Sequence, residues 1–330
     1  MHYRLFPALG REVSEIGLGT WQLGGTEWGH VPEEQALATL AAAADAGMTF
    51  IDTADIYGLG RSESLIGRFL RSRPDRDRFV IATKLGRHPQ PGWPENFQPR
   101  WVRQHTEDSL RRLGVDVIDL TQTHSLPLEV MRDTGIFDSL RQLRDEGKIR
   151  AFGVSVESME EALFCLEQEG MASLQIIFNI FRQKPIDVLF DRARAQGVAL
   201  IIRLPLASGL LAGKFTRETS FPENDHRSFN RDGQRFNVGE TFAGVPFEKG
   251  LELVEELRPW VPAGMTMAQM ALRWCLDFEA VTTVIPGAKR PEQARDNAAA
   301  SDFPQLPPLL HNRLGRFYEA KVAAYIRGKY

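Results

Sequence analysis

The chain has 330 residues, 25% of them charged and 43% hydrophobic, with 28 Gly, 19 Pro and 2 Cys, a composition that excludes a collagen, a coiled coil and a low-complexity polymer. Forty basic against 43 acidic side chains leave a formal net charge of −3, so no global field attracts nucleic acid or an anionic membrane. No window approaches the ~18 uninterrupted apolar residues of a membrane span, and the N-terminus MHYRLFPALGREVSEIG lacks the basic-then-apolar build of a secretory signal. A soluble cytoplasmic protein is expected. Cys165 and Cys275 lie far apart in apolar segments, without Cys-x-x-Cys spacing, and read as buried thiols in a reducing compartment.

Short β-branched apolar runs alternate with amphipathic stretches along most of the chain, which predicts successive βα units and a parallel sheet. YRLFPALGREVSEI, with alternating apolar positions around Leu9-Gly10-Arg11, suits a β-hairpin capping one end. Ile16–Leu18 is the first predicted barrel strand, followed by the loop GTWQLGGTEWGH and a helix Glu33–Ala46 ending at Gly47. MTFID leads into a helix SESLIGRFLRSR, with Ser62 and Ser64 as candidate N-caps. FVIATK runs into a loop carrying Pro89, Pro91, Pro94 and Pro99, then a helix WVRQHTEDSLRRL that stops at Gly114. The fourth to seventh strands are VDVIDLTQTH, KIRAFGVS, SLQIIFN and VALIIRLPL, separated by the helical stretches FDSLRQLRDEGK, MEEALFCLEQEG and PIDVLFDRARAQG.

The segment from Ala207 to about Pro246 exceeds the ~12–15 residues usual for a connection, which suggests function. Helices LELVEELRPW and MAQMALRWCLDF, an eighth strand AVTTVIPG and a helix PEQARDNAAA follow, and a tail from Leu306 to Tyr330 reads as helical in its second half. With no linker or composition shift, the expectation is one domain over residues 1–330. Its predicted class is α/β: a (β/α)8 TIM barrel with an N-terminal β-hairpin, long C-terminal-face loops and a C-terminal helical tail.

Reactive groups in such a barrel gather at the C-terminal ends of the strands. Asp52 closes MTFID, Lys84 closes FVIATK, His124 closes the fourth run and Ser155 the fifth, while Tyr57 sits five positions after Asp52. This combination suggests proton delivery. A lysine cation beside a tyrosine stabilises the phenolate and is expected to lower its pKa, a carboxylate holds the lysine, and a histidine orients a carbonyl oxygen. Trp21 and Trp28 are expected to line the mouth, with Trp93 and Phe97 as weaker candidates. His30, His88 and His105 have no metal-ligand spacing, and no metal is assigned.

The segments GLGTW, GMTFIDTADIYGLGRSESLIGRFL, ATKLG, LTQTH, GKIRAFGVS, PLASGLLAGKF and VIPGAKRPEQARDNAAA together resemble the aldo-keto reductase superfamily, in its order, over roughly residues 16–300. The resemblance, nearest to the family's bacterial NADP-dependent branch, implies nicotinamide-dependent reduction of an aldehyde or ketone, with hydride from the pro-R face of nicotinamide C4. It implies Tyr57 as proton donor, Lys84 and Asp52 as its tuning pair, and His124 as the group orienting the substrate carbonyl, with Trp21 also against the substrate. Gly19, Thr20, Trp21 and Asp52 then border the cofactor. Gln175 and Ser155 match the family's carboxamide binders. Arg203 stands where many members have an aromatic residue that stacks on the nicotinamide, and Val156 stands where an Asn is common. A guanidinium plane can stack, reach a phosphate or an acidic substrate, or simply pair with a carboxylate.

In PLASGLLAGKF, residues Leu206, Ser208, Gly209 and Leu210 bring backbone amides toward a pyrophosphate and Lys214 adds charge. Gly287, Lys289, Arg290, Gln293 and Asn297 match the adenosine end, where Lys289 and Arg290 suit a 2′-phosphate. The expected cofactor is NADP(H), with NAD(H) use open, and the expected partner is a small carbonyl substrate, possibly sugar-derived. The alternative is a cofactor-sensing regulatory subunit with slow or vestigial reductase activity.

Overall fold

The computed structural model describes residues 1–25 and 27–330; the predicted loop GTWQLGGTEWGH includes Thr26, which lies outside the described residues. Eight parallel strands form a closed barrel: β3 (Leu18–Gly19), β4 (Phe50–Asp52), β5 (Val80–Leu85), β6 (Ile118–His124), β7 (Ile149–Ser155), β8 (Met171–Ile177), β9 (Ala199–Arg203) and β10 (Val281–Val284). Closure comes from parallel bridges between Ile16 and Val284 and between Gly19 and Gly287. The first strand therefore begins two residues later than expected and ends at Gly19, and Ile16 contributes a single bridge. Among the described residues no helix is long and apolar enough to cross a membrane.

The predicted hairpin is present as β1 (Tyr3–Phe6) and β2 (Arg11–Ser14), turned at Gly10, whose φ of 60° suits glycine. It plugs the N-terminal end of the barrel. Phe6 and Val13 pack there against Phe50, Val80, Ala82, Leu120, Ala151, Ala172, Ala199 and Ile201. The small residues Ala82, Ala151, Ala172 and Ala199 leave room for Phe6 and Phe50, whose rings lie 6.3 Å apart.

Because side chains alternate along a strand, the inward row continues upward from Phe50 to Asp52, from Ala82 to Lys84, and from Leu120 to Gln122 and His124. Register aligns these rows: Lys84 pairs with Gln122, His124 with Ser155, and Ser155 with Gln175. The barrel thus has an apolar floor and a polar upper layer. Outside, the helices stop and start where their residues dictate. Gly114, at φ 68°, ends the helix Pro99–Leu113, and capping boxes at Ser158 and Thr266 start the helices Met159–Leu166 and Met267–Leu276.

One expectation is corrected and another extended. The helix after β4 spans Arg61–Arg71 and begins at Gly60, not at a serine cap. Ser62 instead bonds the hydroxyls of Thr20 and Thr53 at 2.8 Å, and its N–H donates to the Tyr57 carbonyl, tying down the loop that carries Tyr57. In the tail the α-helix occupies the first half, Pro308–Phe317, with Pro308 well placed in its first turn, and the expected helicity of the second half is present as a π turn at Tyr318–Val322 and a 3-10 turn at Ala323–Tyr325. Beyond Tyr325 the last residues run back over the barrel. Arg327 pairs with Asp232 and Gly244 of the long loop, and the Tyr330 ring stacks 4.3 Å from Arg182, with its hydroxyl accepting from Lys184 N–H.

Candidate active site

Lys84, at the end of β5, is buried at the centre of the polar layer. Its ammonium donates to Asp52 Oδ1 at 2.5 Å, to the Thr53 carbonyl at 2.8 Å and to the Tyr57 hydroxyl at 3.3 Å. Gln175 Nε2 donates to Asp52 Oδ2 at 2.7 Å, and Gln122 approaches the same oxygen at 3.5 Å. The Tyr57 ring is stacked on Trp21, with centroids 5.9 Å apart, and meets the His124 ring edge-on at 5.8 Å. The four residues proposed for proton chemistry therefore converge on one point.

Their electrostatics differ from the expectation in one respect. Burial pushes the Tyr57 hydroxyl above its ordinary value, and the opposing Lys84 cation only partly offsets this. Tyr57 is thus a neutral hydroxyl at working pH, with the Lys84 ammonium placed where it would face any charge on the phenolic oxygen. Burial also raises Asp52, while for Lys84 the interactions with Asp52, charge first, and with the Tyr57 hydroxyl together outweigh burial and hold it above its ordinary value. His124 is held well below the usual imidazole range by burial and by the Arg87, Lys84 and Arg203 cations. It is neutral, as a carbonyl-orienting N–H donor should be.

Above this layer opens a cavity of about 1380 Å³. Gly19, Thr20, Trp21, Asp52, Tyr57, His124, Gln175, Arg203, Leu206, Ser208, Gly209, Lys214, Gly287, Lys289, Arg290 and Gln293 border it, as do Trp28 and Trp93. Other expected contacts lie off the wall. Leu210 is in the core, Phe97 is buried, and Asn297 donates to the Gly287 carbonyl at 3.3 Å, holding that turn. Ser155 is buried beneath the wall, and its hydroxyl has no partner within the described residues.

Some expected ligand groups are already engaged. Thr20 donates to the Asp52 carbonyl, and the Ser208 hydroxyl links the Glu240 carbonyl to Phe242 N–H. The Gln293 carboxamide oxygen caps the N–H groups of Lys289 and Arg290, and the Lys289 ammonium donates to the Trp28 carbonyl. The Val156 side chain is in the core, and its carbonyl accepts from Arg203 at 3.2 Å. Arg203 also pairs with Glu240 at 3.5 Å, which is the carboxylate pairing among its foreseen roles.

Sequence reasoning missed the rest of that cluster. Arg87 Nη2 lies 3.2 Å from both Glu157 and Glu240, and Arg87 Nε donates to the His124 carbonyl at 3.2 Å. Gln122 was also missed, although its place two residues before His124 puts it on the same inward row. Arg87 and Glu157 sit in loops and Glu240 ends a short 3-10 turn, Val238–Glu240, within the long connection, where a charged residue looks like any solvated one.

Asp55, in the turn before Tyr57, is fully buried, and among the described residues neither carboxyl oxygen has a hydrogen-bond partner, His105 Nδ1 lying 4.0 Å away. Burial, followed by the nearby Glu63 charge, pushes its pKa up to about 8. Its proton is retained in the folded state and released on unfolding above the ordinary carboxylate value. The stability from this group is therefore complete at low pH and lost as pH rises to about 8. The wild-type unfolding free energy, measured against that of Asp55→Asn, should fall by roughly 1.4 kcal/mol per unit between pH 5 and 7. Parallel curves would contradict the assignment.

Comparison with known proteins places this geometry. A family model described as the Aldo/keto reductase family matches residues 15–319. Aldo-keto reductase YhdN of Bacillus subtilis is 32% identical over 299 residues, covering 89% of this chain and 86% of the relative. The NADH-specific methylglyoxal reductase of Escherichia coli is 29% identical, covering 87% and 90%. Among solved structures, the glycerol dehydrogenase AKR11B4 from Gluconobacter oxydans superposes with a TM-score of 0.80 at 30% identity, covering 99% of this chain and 98% of that one.

Proposed function

The chain belongs to the aldo/keto reductase family, and from that premise we propose that it reduces a small aldehyde or ketone to an alcohol with NADP(H) as the preferred cofactor. The observation that carries this reading is the Lys84 ammonium, bridging Asp52 and the Tyr57 hydroxyl beneath the cavity. A bound reduced nicotinamide would supply the hydride for the carbonyl carbon. Tyr57 gives its hydroxyl proton to the carbonyl oxygen, and Lys84 stabilises the resulting phenolate. The neutral His124 donates a hydrogen bond to the same oxygen, polarising and orienting it. Trp21, stacked on Tyr57, forms an apolar wall that keeps water from the reacting group.

The residues fit such a cofactor. The Ser155 hydroxyl, without a partner among the described residues and in register with the cavity-lining Gln175, is consistent with a carboxamide role. Gly209, at φ 101°, keeps the wall open where a Cβ would come within 2.7 Å of the Phe215 ring. Lys214, Lys289 and Arg290 supply charge for phosphates. Burial, with Arg227 and Arg290 adding repulsion, pulls the Lys289 ammonium below its ordinary pKa, a tension that a bound phosphate dianion would relieve.

For cofactor choice, Arg290→Ala should raise the KM for NADPH about tenfold and that for NADH less than about twofold. Equal effects would remove Arg290 from 2′-phosphate recognition. The E. coli relative acts on methylglyoxal with NADH, so both cofactors belong in this assay. A panel of small aldehydes, ketoaldehydes and sugar-derived carbonyls tests the reaction class.

A further inference from the structure

The long connection between β9 and the helix Phe247–Leu257 meets the site at several points: its His226 and Phe236 rings lie 4.9 Å and 6.3 Å from that of Trp21, and its Glu240 carboxylate enters the arginine cluster. Glu240, only 4% exposed, lies 3.2 Å from Arg87 and 3.5 Å from Arg203. Each arginine in turn holds a backbone carbonyl at a strand end: Arg87 that of His124, and Arg203 that of Val156, just past Ser155. The glutamate is fixed from its own side as well, because Ser208 bonds the Glu240 carbonyl at 3.0 Å and Phe242 N–H at 3.1 Å.

We propose that Glu240 is a positioning residue that transmits docking of the 207–246 loop to the catalytic centre, by holding Arg87 against the His124 carbonyl and Arg203 against the end of β7. The inference rests on the reductase reading above. Buried charges tolerate few alternative arrangements, since each must keep its partner. Two arginines sharing one buried carboxylate therefore register the loop's place sharply. Glu157, on the second side of Arg87, keeps that guanidinium in the cluster but is carried by the barrel and cannot report on the loop. Arg87 and Arg203 hold Glu240 ionised against its burial, as this clamp requires.

The test is a double-variant cycle on carbonyl turnover with NADPH. Glu240→Gln and Arg87→Gln should each lower kcat about tenfold, with the KM for NADPH changing less than about threefold and the double variant no worse than either single one. Glu240→Asp, which keeps the charge, should recover part of the loss. Additive losses of about a hundredfold, or a change confined to KM, would overturn the proposal. If Arg87→Gln fails to fold, Arg87→Lys keeps the charge and removes the Nε donor to His124, and it carries the same expectation. A second arm needs no turnover: trypsin should cut the loop at Arg231 and Arg235 faster in Glu240→Gln than in the wild type. Unchanged cutting would overturn loop docking through Glu240, whereas faster cutting in a protein without wild-type turnover would refute the reductase reading alone.

Discussion

Tyr57→Phe should abolish carbonyl reduction, lowering kcat by about a thousandfold or more, within the range attributed to a positioned general acid. The substitution removes one oxygen and nothing else. The ring remains stacked on Trp21, and Lys84 keeps its bonds to Asp52 and to the Thr53 carbonyl. The fold and the cavity wall should therefore persist, and NADPH affinity measured by fluorescence titration should stay within about threefold of the wild type. Retention of more than about a tenth of the wild-type kcat would show that the proton comes from elsewhere.

Lys84→Met has the second-largest expected effect, because it damages chemistry and stability together. Without the ammonium, the Tyr57 phenolate loses its stabilising charge, and kcat should fall by about a hundredfold or more. Asp52 is then a buried carboxylate held only by the amides of Gln175 and Gln122. Breaking one side of a buried ion pair typically costs about 3–5 kcal/mol, visible as a lowered denaturation midpoint. Removing both charges, in Asp52→Asn with Lys84→Met, should restore much of the stability but none of the activity, since a neutral pair leaves no uncompensated ion. Recovery of both would place Lys84 in a purely structural role.

Much of this site was legible because β-strands impose a period of two. Asp52, Lys84 and His124 end apolar runs, and a closed parallel barrel turns such ends toward one mouth. The same period brings Gln122 into the polar layer. Alternation also made the N-terminal hairpin readable, and Gly10 marked its turn. Local pattern loses its hold where the chain is irregular. Ser62 resembles a helix cap, yet it is spent on hydroxyl bonds to Thr20 and Thr53 that no local signal foretells. Glu240 and Arg87 are 153 residues apart along the chain, and their pairing follows from the course of a loop without periodicity. The tail shows a similar limit: its second half does hold helical turns, but Arg327 and Tyr330 beyond them are placed by distant partners on the loop and on Arg182. The pKa of Tyr57 shows the same limit in energetic form: a neighbouring lysine can be read from motif spacing, but the depth of burial that outweighs it cannot.

These observations connect the fold to a single chemical event. The hairpin fills the barrel floor, the polar layer above it sets Lys84 between Asp52 and Tyr57, and the loops enclose a cavity with basic side chains along part of its wall. Stopped-flow oxidation of NADPH by the wild-type protein, with a panel of small aldehydes and ketones and with deuterium at the 4R or the 4S position, tests that event most directly. Carbonyl-dependent oxidation slowed by 4R deuterium alone, and lost in Tyr57→Phe, is the expected result. Tight NADPH binding with no carbonyl-dependent oxidation would contradict carbonyl reduction at this site.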